Sequence, residues 1–176
     1  MSDRRYTAAT AGPKIDSLLG PLLKNAGLKV NFEIVEGRTS DPAFESPEIS
    51  VLFTGPDVDL LLANKAELLL ALEQLAMEAL RLPAEHHSRI SFDANDYRLM
   101  RVEELRLSAA VAAERVKSTG APFYFSPMTS RERRIIHLAL RDEKDLRSES
   151  AGYGPGRQVV VYPAGMASQP PPPPPP

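Results

Sequence analysis

An arginine and a histidine, Arg133 and His137, stand four residues apart in the C-terminal half of the sequence, with Arg131, Arg134 and Arg141 around them. On a helix that interval projects both side chains from neighbouring positions on one face. At about 100° per residue, Arg133, Arg134, His137 and Arg141 gather on one side and Ile135, Ile136 and Ala139 on the other. A guanidinium presents a planar fork of donors that matches two oxygens of a phosphate. An imidazole adds a donor, or a ring that can lie on a base. The chemistry is that of holding a polyanion, not of breaking a bond. The same spacing also suits a solvated basic face with a surface histidine, and one helix alone does not separate the two.

The elements that must carry this face can be read on either side of it. Thr129-Ser130-Arg131-Glu132 is a capping box, with Thr129 at the N-cap and Glu132 reaching back, so a helix runs from Thr129 to Arg141. Upstream, Asp93 or Asn95 caps a long helix that continues to about Lys117 and stops at Thr119-Gly120. Phe123 to Phe125 is a short strand and Val159 to Tyr162 another, with a weaker one from Asp145 to Ser150.

The first half has its own punctuation. Ile15 to Ala26 places Leu18, Leu19, Leu22 and Leu23 at helical spacing and ends on Gly27. Leu28 to Glu36 alternates, with Val30, Phe32 and Ile34 on one side. A second strand, Glu48 to Phe53, stops at Gly55-Pro56. A short helix over Asp57 to Leu62, a longer one over Glu67 to Leu80, and a strand over Ile90 to Phe92 follow. No internal repeat is present. The pattern predicts an α+β protein of two small modules, over 13–93 and 94–165, the second led by the long helix and closed by a small sheet. Residues 1–12, small and polar, are expected to be a disordered leader. Residues 166–176, ending in the run Pro170 to Pro176, are expected to be an extended tail, either a spacer or a docking peptide for an aromatic groove.

The run from Ser126 to His137, Ser-Pro-Met-Thr-Ser-Arg-Glu-Arg-Arg-Ile-Ile-His, closely resembles the signature of the R-x-x-x-H domain found in proteins of the Jag (SpoIIIJ-associated) family. The upstream residues Asp93, Tyr97-Arg98, Arg101, Leu105, Val116 and Thr119-Gly120 resemble the helix that precedes it there. Downstream, Ser148-Glu149-Ser150, Gly156-Arg157 and Val159-Val160-Val161 resemble its closing turn and strand. The resemblance implies a domain that binds single-stranded RNA or DNA, with Arg133 and His137 as its defining pair and Arg131, Arg134, Arg141 and Arg157 bordering them. The first module resembles a KH-like α/β sandwich of the same family. Its Gly-x-x-Gly loop would fall on Ala63-Asn64-Lys65-Ala66, where both glycines are alanine. Bare backbone lets phosphates approach such a loop closely, and two methyl groups weaken that. The loop therefore stays open between nucleic-acid contact and a structural or protein-pairing role. By implication the chain is a bacterial post-transcriptional or cell-envelope-related regulator that works with a small KH-domain protein. The alternative is an interaction adaptor whose degenerate KH half no longer binds RNA.

Bulk properties narrow the remaining classes. The absence of cysteine removes disulfides, thiolate metal sites and cysteine nucleophiles. His86 and His87 are adjacent with no third ligand at a metal spacing, so no metal or cofactor is expected. No phosphate loop, nucleophile elbow or paired carboxylate stands out, and a non-enzymatic protein is expected. No apolar run reaches the roughly 20 residues of a membrane helix, which with the cysteine-free composition points to the cytoplasm. The net charge of −2 is unevenly spread. Residues 1–94 carry 9 Lys+Arg against 14 Asp+Glu, and residues 95–176 carry 12 against 9, so the basic surplus lies in the half that holds Arg133 and His137.

Overall fold

A computed structural model describes residues 6–38, 42 and 44–168. The chain divides into two compact units, one up to Leu99 and one from Met100. Each has its own three-stranded sheet.

In the first unit α1 (Ala8–Asn25), β1 (Asn31–Glu36), β2 (Ile49–Thr54), α2 (Val58–Ala79) and β3 (Ile90–Ala94) follow in order, with a 3-10 turn over Ala84–Arg89 before β3. The sheet order is β1-β2-β3. β1 and β2 are antiparallel, and β2 and β3 are parallel because α2 lies between them as the crossover. Alternation along the strands puts Phe32, Val51, Phe53 and Phe92 in the core, where ring centroids lie 6.0 Å apart for Phe32–Phe53 and 5.5 Å for Phe53–Phe92. Ile15, Leu19 and Leu23 of α1 and Leu61, Leu69, Leu72 and Ala76 of α2 belong to the same core.

The division between the units, read at 93/94, falls at Leu99/Met100, and both ends of the chain also differ from the sequence reading. α1 begins at Ala8, so the segment from Tyr6 to Gly12 is not a disordered leader. Thr7 and Thr10 cap it reciprocally, Ala11 and Gly12 are buried, and the Tyr6 hydroxyl meets His86 Nδ1 at 2.9 Å. A Cβ on Gly12 would make an ordinary van der Waals contact, 3.7 Å from Ile34 Cγ2. At the other end, the Met166 carbonyl accepts from Arg147 Nη2 at 2.7 Å and the Ser168 hydroxyl donates to Glu149, so the expected tail is anchored over its first residues. Residues 1–5 and the proline run from Pro170 to Pro176 lie outside the described residues.

The second unit consists of α3 (Tyr97–Thr119, whose first turn lies in the first unit), β4 (Phe123–Tyr124), α4 (Ser130–Ala139), β5 (Leu146–Ala151) and β6 (Gln158–Pro163). The sheet is antiparallel in the order β4-β6-β5. α3 buries Val102, Leu105, Ala109, Ala112, Ala113 and Val116, a stripe at intervals of three and four. Ile135, Ile136 and Leu140 of α4 and Val159 to Tyr162 of β6 complete the buried set. Asp93 caps α3 at a distance, its Oδ1 accepting from the Arg98 amide at 3.0 Å. The Arg98 guanidinium in turn pairs with buried Glu73 at 2.7 Å within the first unit.

Candidate nucleic-acid interface

α4 is fixed at its start by the capping box that the sequence announces. The Thr129 amide donates to Glu132 Oε2 at 2.8 Å and the Glu132 amide to Thr129 Oγ1 at 3.3 Å. Glu132 has a second task that local sequence does not reveal: Oε1 accepts from Arg101 Nε of α3 at 2.7 Å. Burial works to raise the Glu132 carboxyl, but the Thr129 amide and the Arg101 guanidinium outweigh it and hold it below the ordinary carboxylate range.

Ile135 and Ile136 are buried and Ala139 is half-buried, so the apolar side of the wheel faces inward as expected. Arg134 is exposed. Arg133 and His137 are not fully exposed, as a solvated basic face would have them; both are half-buried and held by partners. Arg133 Nη1 donates to the Met128 carbonyl at 2.9 Å. The Met128 amide donates to the Arg157 carbonyl at 3.1 Å, so one residue joins the Arg133 guanidinium to the strand-entry segment that carries Arg157. Burial first, and the Arg157 charge second, push Arg133 down from its usual value.

His137 is clamped on both ring nitrogens. Nδ1 lies 2.8 Å from Ser148 Oγ and Nε2 3.1 Å from Ser150 Oγ. The two serines alternate along β5 and therefore share one face of the strand. Burial first, then the Arg133 charge, pushes the imidazole below its ordinary value, so it is neutral near pH 7. A neutral ring carries one N–H, so it donates to one hydroxyl and accepts from the other. The two serine contacts fix the orientation of the ring.

The other arginines divide. Arg157 is exposed at the entry to β6. Arg131 is half-buried and engaged. Arg141 lies past the C-cap Leu140, its Nε 3.4 Å from Asp142 Oδ2, both largely exposed. Met128 thus links the Arg133 guanidinium to the backbone of Arg157, and the Arg133 charge is felt at His137. Arg101, Met128, Ser148 and Ser150 fall within the family resemblance, but local sequence does not mark them as supports of this pair. Only the Ser-x-Ser period of two offered a signal, and it needed β5 to be placed opposite the histidine.

In the first unit, the loop Ala63-Asn64-Lys65-Ala66 interrupts α2. Ala63 is extended, and Asn64, Lys65 and Ala66 are left-handed, with φ of 51°, 62° and 60°. Ala63, Asn64 and Lys65 are exposed, whereas Ala66 is fully buried. The Lys65 carbonyl accepts from the Tyr97 hydroxyl at 3.1 Å. His86 and His87 bond to Tyr6 and to the Leu82 carbonyl, and no group of three candidate metal ligands occurs among the described residues. No helix of the described residues is long and apolar enough to cross a membrane.

Residues 103–163 match the R-x-x-x-H (R-3-H) domain family. RNA-binding protein KhpB of Clostridium symbiosum is 32% identical over 114 residues, which are 65% of this chain and 51% of that protein. RNA-binding protein KhpB of Bacillus subtilis strain 168 is 31% identical over 132 residues, 73% of this chain and 64% of the relative. That of Lactiplantibacillus plantarum is 32% identical over 102 residues, 58% and 32% of the two chains. The chain spans less than two thirds of the length of each of these relatives.

Proposed function

We propose, from the R-x-x-x-H domain that the chain carries over residues 103–163 and from its likeness to RNA-binding relatives of the Jag family, that it binds single-stranded RNA through its second unit. The observation that carries the reading is the cationic edge at α4. Arg133 and Arg157 are linked through Met128, and His137 is held beside Arg133 by two serines. Half-burial fixes the donors before a ligand arrives, so less side-chain entropy is lost on binding. The bent phosphodiester backbone of a single strand supplies the charge that relieves the Arg133–Arg157 repulsion. The names of the relatives agree with RNA as the ligand. We place the chain as a cytoplasmic, non-enzymatic regulator acting after transcription or on the cell envelope, paired with a small KH-domain protein, with single-stranded DNA as a competing ligand.

The order helix–strand–strand–helix–helix–strand of the first unit agrees with a KH-like module, its α2 being two helices separated by the Ala63–Ala66 loop. A second reading, an adaptor whose first unit contacts protein and not RNA, is favoured by that loop: the Ala66 methyl is packed into the core and Lys65 is its one cation. One titration series separates the two readings, with wild type, Arg133→Ala and Lys65→Ala measured against one labelled RNA oligonucleotide at two salt concentrations. Arg133→Ala should weaken binding by roughly 1–3 kcal/mol and flatten the salt dependence. Lys65→Ala should do less. A larger loss from Lys65→Ala would make the first unit the main reader, and no loss from either would favour the adaptor.

A further inference from the structure

Between β5 and β6 the chain turns through Gly152-Tyr153-Gly154-Pro155-Gly156-Arg157. Tyr153 is 95% exposed, more than any other large apolar side chain of the described residues. The other four tyrosines are buried or half-buried. A ring left in water on a loose loop would be ordinary, but this loop is closed on itself. The Gly156 amide donates to the Tyr153 carbonyl and the Arg157 amide to the Gly154 carbonyl, both at 3.2 Å. Gly152 sits at φ +87°, where a Cβ would come within 2.9 Å of the Gly156 carbonyl oxygen, so only glycine allows the closure. Tyr153 itself is in a relaxed extended conformation, with φ −133° and ψ 152°. The closed turn leaves one aromatic ring in solvent. That ring is four residues from Arg157, whose carbonyl is bound to Met128, which also holds Arg133.

We infer that Tyr153 is a stacking platform for a base of a single strand whose backbone lies along Arg133 and Arg157. The inference rests on the RNA-binding reading above and adds a residue that selects bases over bare polyanion. A ring on a closed turn loses little entropy when a base covers it, and the flat face accepts any base, giving affinity with little sequence preference. An unpaired base can reach such a ring from a flexible strand, whereas the bases of a duplex are already stacked. The neighbouring arginines then set register on the phosphates.

The full chain has no tryptophan, so Tyr153→Trp gives a single-tryptophan reporter at the proposed contact. Wild type, Tyr153→Phe, Tyr153→Trp and Tyr153→Leu are titrated with a short oligoadenylate and, separately, with inorganic polyphosphate, at two salt concentrations. Tyr153→Leu should weaken oligoadenylate binding roughly tenfold and leave polyphosphate binding and the salt slope unchanged. Tyr153→Phe and Tyr153→Trp should bind as wild type, and emission of Tyr153→Trp should be quenched by oligoadenylate and not by polyphosphate. Equal losses for both ligands in Tyr153→Leu, or full binding with unquenched emission, would overturn the stacking role while leaving RNA binding by the second unit intact. Full oligoadenylate binding with altered self-association of Tyr153→Leu would reassign the ring to a protein contact and also overturn it. Wild type that binds no oligonucleotide at low salt would refute the RNA reading before any variant is compared.

Discussion

His137 Nε2 and Ser150 Oγ stand 3.1 Å apart, and this contact, with its counterpart to Ser148, holds the imidazole at both ring nitrogens. Its folded pKa is held below the ordinary one by burial and then by Arg133. As pH falls, the unfolded chain therefore takes up the proton first. The stabilising contribution is complete above about pH 6.5 and is lost as pH falls from there through the lower folded value. The stability difference between wild type and His137→Gln should shrink across that window in denaturant titrations at several pH values. A difference constant with pH would remove His137 from the titrating groups.

The same histidine should couple binding to protons in the opposite sense. A phosphate beside Arg133 offsets the charge that disfavours protonation, and a doubly protonated ring donates to both serines, freeing the one hydroxyl hydrogen that the neutral ring had accepted. Affinity for a single-stranded oligonucleotide should rise several-fold from about pH 7.5 to about pH 5.5, and the rise should vanish in His137→Gln. Calorimetry in two buffers of different ionisation enthalpy would register the proton uptake, and none taken up near pH 6 would contradict the contact.

Glu132 supports α4 from two sides, so Glu132→Ala should cost about 2 kcal/mol through the lost cap and the half-buried Arg101 left short of an acceptor. Glu103→Ala removes a pair with Arg106 in which both side chains are about half exposed, and should stay within about 0.5 kcal/mol. Urea unfolding of the two variants compares them directly; equal costs would mean that Glu132 acts only as a surface charge.

The left-handed run in α2 makes a separate claim. A non-glycine residue there costs roughly 1–2 kcal/mol, partly offset in a glycine variant by the entropy of the unfolded chain. Lys65→Gly should therefore stabilise the protein by about 0.5 kcal/mol, while Lys65→Ala leaves stability almost unchanged. Ala66→Gly is the poorer probe because it also removes a buried methyl. A clear loss of stability in Lys65→Gly would show that the run is not left-handed in solution.

At the N-terminus, Thr7→Ala should cost about 1 kcal/mol through loss of the α1 cap, measurable by thermal unfolding. Unchanged stability would mean that the first turn is frayed.

What could be read in advance follows the range of each interaction. The capping box at Thr129, the Gly27 stop of α1 and the alternation of Val30, Phe32 and Ile34 are local, and they were legible. The start of α1 was missed although Ala11, Ile15, Leu19 and Leu23 repeat every four residues, because alanines and a glycine do not register as an apolar stripe. Arg101–Glu132, His137–Ser150 and Arg133–Met128 depend on chain segments brought together by folding, and no spacing rule finds such partners. Nor did the arginine–histidine interval tell that its two residues would be half-buried and immobilised.

The parallel pairing of β2 with β3 sets an order of events during synthesis. Ile49 must wait for Ile90 and Val51 for Phe92, with all of α2 made in between. Until then the β1–β2 hairpin carries an open edge beside some of the most apolar residues of the chain. The β5–β6 hairpin, by contrast, closes across one short turn. Elongation rate through α2 therefore governs how long the nascent chain presents a strand edge to its neighbours on a polysome, and slowing codons there should raise aggregation without altering the finished protein.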